Sequence, residues 1–566
     1  MQNEKLDLML QEAIKNAGYE LECASVIKSK RPELCDCQFD GVFKLAAQNS
    51  KTPKDVGNEI TNSLIKLNEK KNYYKKIEFV SPGFINLKLS DDFINNELTC
   101  MNDFEKFNIK MPKKQETFVL DYGGPNVAKP LHVGHLRTAI IGESVKRIIN
   151  FCGHKTISDV HLGDFGLQIG QVIYGLIEKN ISVEDVTLKD LNEIYPEYSK
   201  LCKEDENLKE KCAKITKSIQ NNEAKYVKYY NKILDISKKD IKRIYDYLDV
   251  SFDYWYGEKD AEKYIKNVED ILNEKNLLIK SNEALVVDVK EEDDKLEIPP
   301  LIFKKSNGGY LYGSTDLATI YQREQDFKPN HILYCTDLRQ SLHFKQVFRV
   351  AKKADLTKAS LEHLGYGTIN GTDNKPYKTR SGKTPKLEDL FKEIEETFEN
   401  IKEENKLMSK EDKIKIVNSI IKFADFQNYY EKDYIFDISK FSKVVGKTGP
   451  YILYTYLRIN KILLNENTEN LKLSKNIYNQ ADKDLKLKLL ELNSVINNAF
   501  INKLPTHIAT YIYELCGILN IFYQTNHIVT EKDINKKEDW LYILKLSNKV
   551  IKEMLNLLVI DIPSKM

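Results

Sequence analysis

The stretch FVLDYGGPNVAKPLHVGHLRTAIIGE (Phe118–Glu143) constrains the fold of this chain more than any other. A short apolar run ends in glycine, a Gly/Pro-broken loop follows, and a long segment of helical period then begins. Strand, loop and helix in that order make the first βα unit of a doubly wound parallel sheet. A second such unit follows in HKTISDVHLGDFGLQIGQVIYGLIEK (His154–Lys179). From about 180 to 290 the pattern is charged and helical, which predicts an insertion that splits the sheet in sequence. Strand signals return at ALVVDV, LIFKK, YLYGSTDLATIY and HILYCTD, the last ending at Asp337.

A chain of 566 residues is too long for one hydrophobic core, so several domains are expected. Residues 1 to about 110 open with an amphipathic helix and close on KIEFVSPGFINLKLS (Lys76–Ser90), an alternating pair of strands around a Pro-Gly turn. From Leu387 onward nearly everything has helical period. Lys440–Met566 holds 18 basic against 12 acidic residues, whereas residues 1–110 hold 16 against 17. A basic C-terminal part suits a module that faces a polyanion, or else a merely Lys-rich surface. Apolar runs stop well short of a membrane span, and the charged N-terminal helix does not resemble a signal peptide, so a cytoplasmic protein with no membrane partner is expected. Nine scattered cysteines without a CxxC pair predict reduced, mostly buried thiols and no metal held by the protein.

His132-Val-Gly-His135 lies at the predicted helix start, where free N–H groups and the helix dipole favour anions. Imidazole N–H donors there can hold a polyphosphate, although two histidines three apart can also bind a metal or sit in a core. KPYKTRSGK (Lys375–Lys383) sets four cations among small residues, the composition of a mobile loop that closes on a triphosphate, or of a solvated charge run. Both sites in this order, about 240 residues apart, are far more specific than either alone.

With those motifs in hand, the chain resembles the class I aminoacyl-tRNA synthetases, most closely their arginyl members. HVGH is similar to the family's HIGH signature, and PNVAKPLHVGH (Pro125–His135) to the arginyl enzymes' extended form of it. YKTRSG (Tyr377–Gly382) resembles their divergent KMSKS loop, with Arg380 where the second lysine stands and Lys129 as the lysine that compensates. VHLGDFGLQIG, TGPYILYTYLRI (Thr448–Ile459) and the closing DIPSKM are similar to further family segments.

The resemblance implies a multidomain α/β protein. Its parts are a small α+β N-terminal tRNA-binding domain (1–112) and a Rossmann-type catalytic domain (113–390) carrying the helical insertion. A helical connection (391–438) and an all-α anticodon-binding bundle (439–566) complete it. It implies arginine, ATP with Mg²⁺ and tRNA(Arg) as substrates, and a monomer is expected. His132, His135, Lys129, Lys378 and Arg380 would act on the triphosphate. Gly134, Gly163, Asp164, His343, Gly365, Gly367 and Ser381 complete the expected ATP site. Asp121, Asn126, Tyr312, Asp316 and Gln340 fall where arginine binds. Two acids, a phenol and two amides suit a guanidinium fork and would serve an apolar side chain poorly. Asp316 and Tyr312 are expected on the guanidinium, and the other three nearer the α-amino or carboxylate end. For tRNA the candidates are Phe84 and Asn86 on the N-terminal strand, and Tyr451, Tyr454, Arg458 and Met566 in the C-terminal part.

One departure is that Gly123 and Gly124 stand where several arginyl enzymes carry serines. A serine contact to substrate is then lost or taken over by backbone N–H groups. The rival readings are a cysteinyl-type synthetase, a small-molecule adenylyltransferase and a catalytically dead RNA-binding relative. They lack, respectively, zinc-binding cysteines, a use for 130 helical C-terminal residues, and a reason for two intact signatures.

Overall fold

The computed structural model describes residues 3–21, 23–164, 166–306, 308–378 and 386–566. The chain forms two compact units, each assembled from separate stretches. The first comprises Met1–Met111, Val444–Leu557 and Ser564–Met566; the second comprises Pro112–Lys443 and Leu558–Pro563.

In the first unit, helix Glu4–Asn16 starts where the Asn3 side chain accepts from Lys5 N–H. It buries Leu6, Met9, Leu10, Ala13 and Ile14, the single stripe that a 3.6-residue period predicts. Strands β1 (Ile27–Lys28), β2 (Cys37–Phe39), β3 (Tyr74–Val80) and β4 (Phe84–Leu89) form an antiparallel sheet in the order β1-β2-β4-β3. The expected hairpin is β3–β4, closing at the Val80–Phe84 pair. Strand alternation sends Ile85, Leu87 and Leu89 inward and leaves Phe84 and Asn86 half-buried on the other face. The same unit contains helices Gly449–Leu464, Gln480–Leu490, Leu492–Asn502, Thr506–Thr525 and Ile534–Leu557. Lys483 pairs with Asp36 at 2.7 Å, and so ties the second of these helices to the end of the small sheet.

The second unit holds the parallel sheet. Strand β5 (Thr117–Asp121) leads through the HVGH loop to helix Gly134–Phe151 and then β6 (Lys155–Asp159). Five helices of the insertion span Leu188–Glu274, and β7 (Leu278–Ser281), β8 (Ala284–Val287) and β9 (Leu301–Lys304) follow as a small antiparallel sheet. Strands β10 (His331–Tyr334) and β11 (Ser360–His363) then complete the parallel sheet in the order β11-β10-β5-β6. The order reverses between β5 and β10, and ligands bind beyond the carboxyl ends of strands at such a switch point. Val119, Ile332, Leu317, Ile320, Phe344 and Val347 belong to the core that backs it.

The YLYGSTDLATIY segment is not a strand. Tyr312–Phe327 is a helix whose first turn is closed by Ser314, and Leu317, Ala318 and Ile320 bury one side of it. Its β-rich composition yields to tertiary packing, which overrides local propensity.

A buried lysine joins the last stretch of this unit to the rest. Lys422 Nζ donates to the Leu248 and Val559 carbonyls, each at 2.6 Å. Burial pushes this ammonium down to about 7.

Candidate functional site

A cavity of about 580 Å³ opens at the switch point of the parallel sheet. It is lined by Asp121 and Asn126 after β5, by His132, Gly134 and His135, and by Gly163 after β6. Glu258 from the insertion, Tyr312 and Asp316 from the helix before β10, and Gln340 and His343 after β10 complete the wall.

The two histidines are set by the backbone that carries them. His132 N–H donates to His135 Nδ1 at 3.1 Å, and Gly134 N–H donates to His132 Nδ1 at 3.0 Å. An imidazole that accepts at Nδ1 while neutral carries its proton on Nε2, so both rings have an Nε2–H left to donate. Burial and then the Lys129 charge lower His132, and burial with the neighbouring His132 takes His135 down to about 3. Both are therefore neutral donors at neutral pH. They sit at the start of an 18-residue helix, whose positive dipole end favours an anion, while the first backbone N–H groups, of Gly134, His135 and Leu136, are already taken by His132 Nδ1 and by the His132 and Val133 carbonyls. Arg137 one turn on fixes that helix end: it donates to the Gly367 carbonyl at 2.8 Å and pairs with buried Asp425 at 2.8 Å.

The cavity floor carries the opposite charge state. Arg323 Nη2 donates to Asp121 at 2.6 Å and to Asp159 at 3.1 Å, all three buried. His161 stands 3.7 Å from Asp159. Burial disfavours its charge, but Asp159 and Asp121 outweigh that and raise it to about 9. Asp121 thus reaches the cavity from inside a neutralised group of two acids and two cations.

Glu258, Asp316 and the largely exposed Tyr312 also line the cavity. Burial, opposed by His161, raises Glu258 to about 7, with Asp316 and Asp164 adding to the rise. His343 Nε2 makes a short contact with Asp316 Oδ2, so that histidine is engaged by the acid. A monovalent planar cation would meet two carboxyls and a phenol here, with geometry suited to a guanidinium.

Not every expected residue reaches the cavity. The Asp164 carboxylate accepts from Tyr230 OH at 2.8 Å and from Lys259 N–H at 3.1 Å, inside the insertion's packing. Tyr366 lines the cavity, while its neighbours Gly365 and Gly367 back onto Leu338 and Asp433. Lys378 is exposed at the start of the basic loop, and Arg380 and Ser381 lie outside the described residues. Beyond them Lys386 forms a bridge with His132, and Leu387 N–H donates to the Leu131 carbonyl at 2.9 Å. The chain that leaves the basic loop is therefore stitched to the histidine motif. The substitute role for backbone N–H groups at Gly123 and Gly124 is not available: these donate to Thr138 Oγ1 and to the Val160 carbonyl. Gly123 has φ +92° with Phe252 and Tyr245 3.0 Å from where a Cβ would stand, so a serine would be strained there.

Among the tRNA candidates, Tyr451 OH accepts from Asn520 at 3.0 Å, and Arg458 stacks on Tyr523 with 4.4 Å to the ring centroid. Tyr454 is exposed, and Met566 is half-buried. Phe84 meets the exposed Phe43 edge-on at 6.3 Å. Sequence reading passed over Glu258, His161, Arg323 and Arg137. The HLGD run flagged His161's neighbourhood, but nothing local marks the others.

Three family models match the chain. They are the N-terminal domain of arginyl tRNA synthetase at residues 4–89, the catalytic domain of class I (R) tRNA synthetases at 99–438, and the DALR anticodon binding domain at 452–566. The arginine–tRNA ligase of Alkaliphilus oremlandii is 39% identical over 99% of both chains, and that of Francisella tularensis subsp. novicida 36% identical over 98% of both. Among solved structures, the arginyl-tRNA synthetase of Plasmodium falciparum matches with a TM-score of 0.82 at 26% identity, covering 100% of this chain and 99% of its own. With catalytic, N-terminal and anticodon-binding domains all matched along its length, the chain belongs to the arginyl-tRNA synthetase family of class I tRNA synthetases.

Proposed function

We propose that the arginine–tRNA ligase activity of this family is carried out in the switch-point cavity of the second unit. Arginine enters with its guanidinium between Glu258, Asp316 and Tyr312, and its α-amino and carboxylate end toward Asp121, Asn126 and Gln340. ATP enters as its Mg²⁺ complex, with the triphosphate on the His132 and His135 Nε2–H donors at the positive end of helix Gly134–Phe151. Lys129, Lys378 and Arg380 supply positive charge to the β- and γ-phosphates. The arginine carboxylate attacks the α-phosphorus in line, the bond to the bridging oxygen breaks, and pyrophosphate leaves. A hydroxyl of the tRNA 3′-terminal ribose then attacks the arginyl carbonyl carbon, and AMP leaves. The protein contributes mostly placement and preorganised donors.

The domain division 1–112, 113–390, 391–438 and 439–566 goes with this reading, Phe84 and Asn86 meeting the tRNA body and Tyr454 and Met566 the anticodon side. A monomer acting in the cytoplasm fits the same reading. No helix among the described residues is long and apolar enough to cross a membrane.

The observation that carries the proposal is that one cavity holds both neutral imidazole donors at a helix start and two carboxyls with a phenol. Pyrophosphate exchange and tRNA charging across all twenty amino acids test it. Activity with arginine alone is the expected result, and charging with another amino acid overturns the assignment of the carboxyl end.

A further inference from the structure

Tyr195 lies outside the motifs and outside the cavity lining, yet its ring is in contact with Lys129, three residues before the cavity-lining His132. It sits in the middle of helix Leu188–Glu204 of the insertion. The Lys129 ammonium stands over its ring, 5.0 Å from the ring centroid, well within the range of cation–π attraction. Tyr195 is also close enough to Tyr312 to act on that phenol, after burial, Glu258 and Asp316. Lys129 in turn lies near enough to His132 and His135 for its charge to lower both.

The kind of partner matters. Among the described residues no carboxylate pairs with Lys129. A carboxylate would fix the ammonium but cancel most of its charge toward a third group. An aromatic face fixes it and leaves the charge whole, because the ring carries a quadrupole and no net charge. A lysine on a flexible four-carbon stem otherwise loses rotamer entropy when it is fixed on binding an anion. A ring that preorders it removes part of that loss beforehand.

We infer that Tyr195 is a positioning residue for arginine activation: its ring holds the Lys129 ammonium toward the two histidines, so the helical insertion sets the place of a triphosphate-facing cation. This rests on the reading of Lys129 given above. The test is steady-state charging of tRNA(Arg) with ATP varied, on the full-length wild type and on Y195F, Y195L, Y195Q, K129M and Y195L/K129M, with thermal midpoints for each. Y195F keeps the ring and is expected within about twofold of wild type. Y195L and Y195Q are expected to lower kcat/KM for ATP about three- to tenfold with little change in KM for arginine. The double variant is expected to be no worse than K129M alone. Wild-type behaviour of Y195L and Y195Q beside an impaired K129M would overturn the role of Tyr195. So would equal loss in Y195F, or losses that simply add in the double variant. An unimpaired K129M is a different failure, that of the Lys129 reading itself, and the inference falls with it. Should Y195L lose thermal stability, Y195Q and Y195F decide the matter at the same position.

Discussion

The rim and the floor of the cavity use the same residue type in opposite charge states. His132 and His135 at the rim receive backbone N–H groups on Nδ1 and are pushed to the neutral form, His135 to about 3. His161 on the floor, as buried as His135, faces Asp159 and Asp121 and is raised to about 9. Burial acts against the charge in all three, so burial is not what separates them; the partner is. A donor on the ring nitrogen leaves a neutral imidazole, and a carboxylate beside it leaves an imidazolium. The rim can then accept a tetra-anionic triphosphate without already being held by a counter-charge, while the floor is internally neutralised and rigid.

The largest effect should come from breaking the floor's balance. Arg323→Met leaves Asp121 and Asp159 buried with only His161 as counter-charge, and should cost about 3–5 kcal/mol of stability, read by denaturant melts. The floor's histidine should show in the pH dependence. Its raised value means its contribution is fully present below about 6.5 and is lost as pH rises through about 9. Stability should therefore fall by on the order of 2–3 kcal/mol across that window, and His161→Asn should flatten the curve. At the rim, His132→Ala should lower kcat about a hundredfold with KM for arginine nearly unchanged. A collapse of arginine affinity with kcat intact would refute the phosphate role. The smallest effect belongs to the carboxyl wall. Glu258 is protonated below about 7, so KM for arginine should fall several-fold between pH 6 and 8. Glu258→Gln should raise KM roughly tenfold and abolish that trend.

How far these regions could be read from sequence follows the same division. The rim was legible because its chemistry is local: strand, Gly/Pro loop, HVGH and helix lie within 34 residues, Phe118–Phe151, and each signals its neighbour. Floor and wall are assembled from distant segments. Asp121 and Arg323 are 202 residues apart, and Asp121 alone looks like an ordinary strand end. Glu258 lies in a Lys/Glu-rich stretch, where its charge resembles any solvated surface acid until Gly257 and Asp164 pack beside it. Tyr312 and Asp316 are assigned to arginine through resemblance while their segment reads as a strand; the helix instead sets them one turn apart on one face, closer together than a strand would. The parallel sheet was readable because strand and helix periods differ; which acid would be paired and which left facing the cavity depends on three-dimensional neighbours that no local period encodes.

The buried Lys422 has a consequence for the order in which a ribosome delivers this protein. Its ammonium needs the Val559 carbonyl, and residues 558–563 are translated more than a hundred residues after Lys443, where the rest of the second unit is already finished. Until then a lysine destined for a dry interior lacks one of its two acceptors, and a buried donor without its partner is costly. The unit that holds the cavity is therefore closed only once residues 558–563 have been made, so a nascent chain cannot complete it ahead of the helices between Val444 and Leu557.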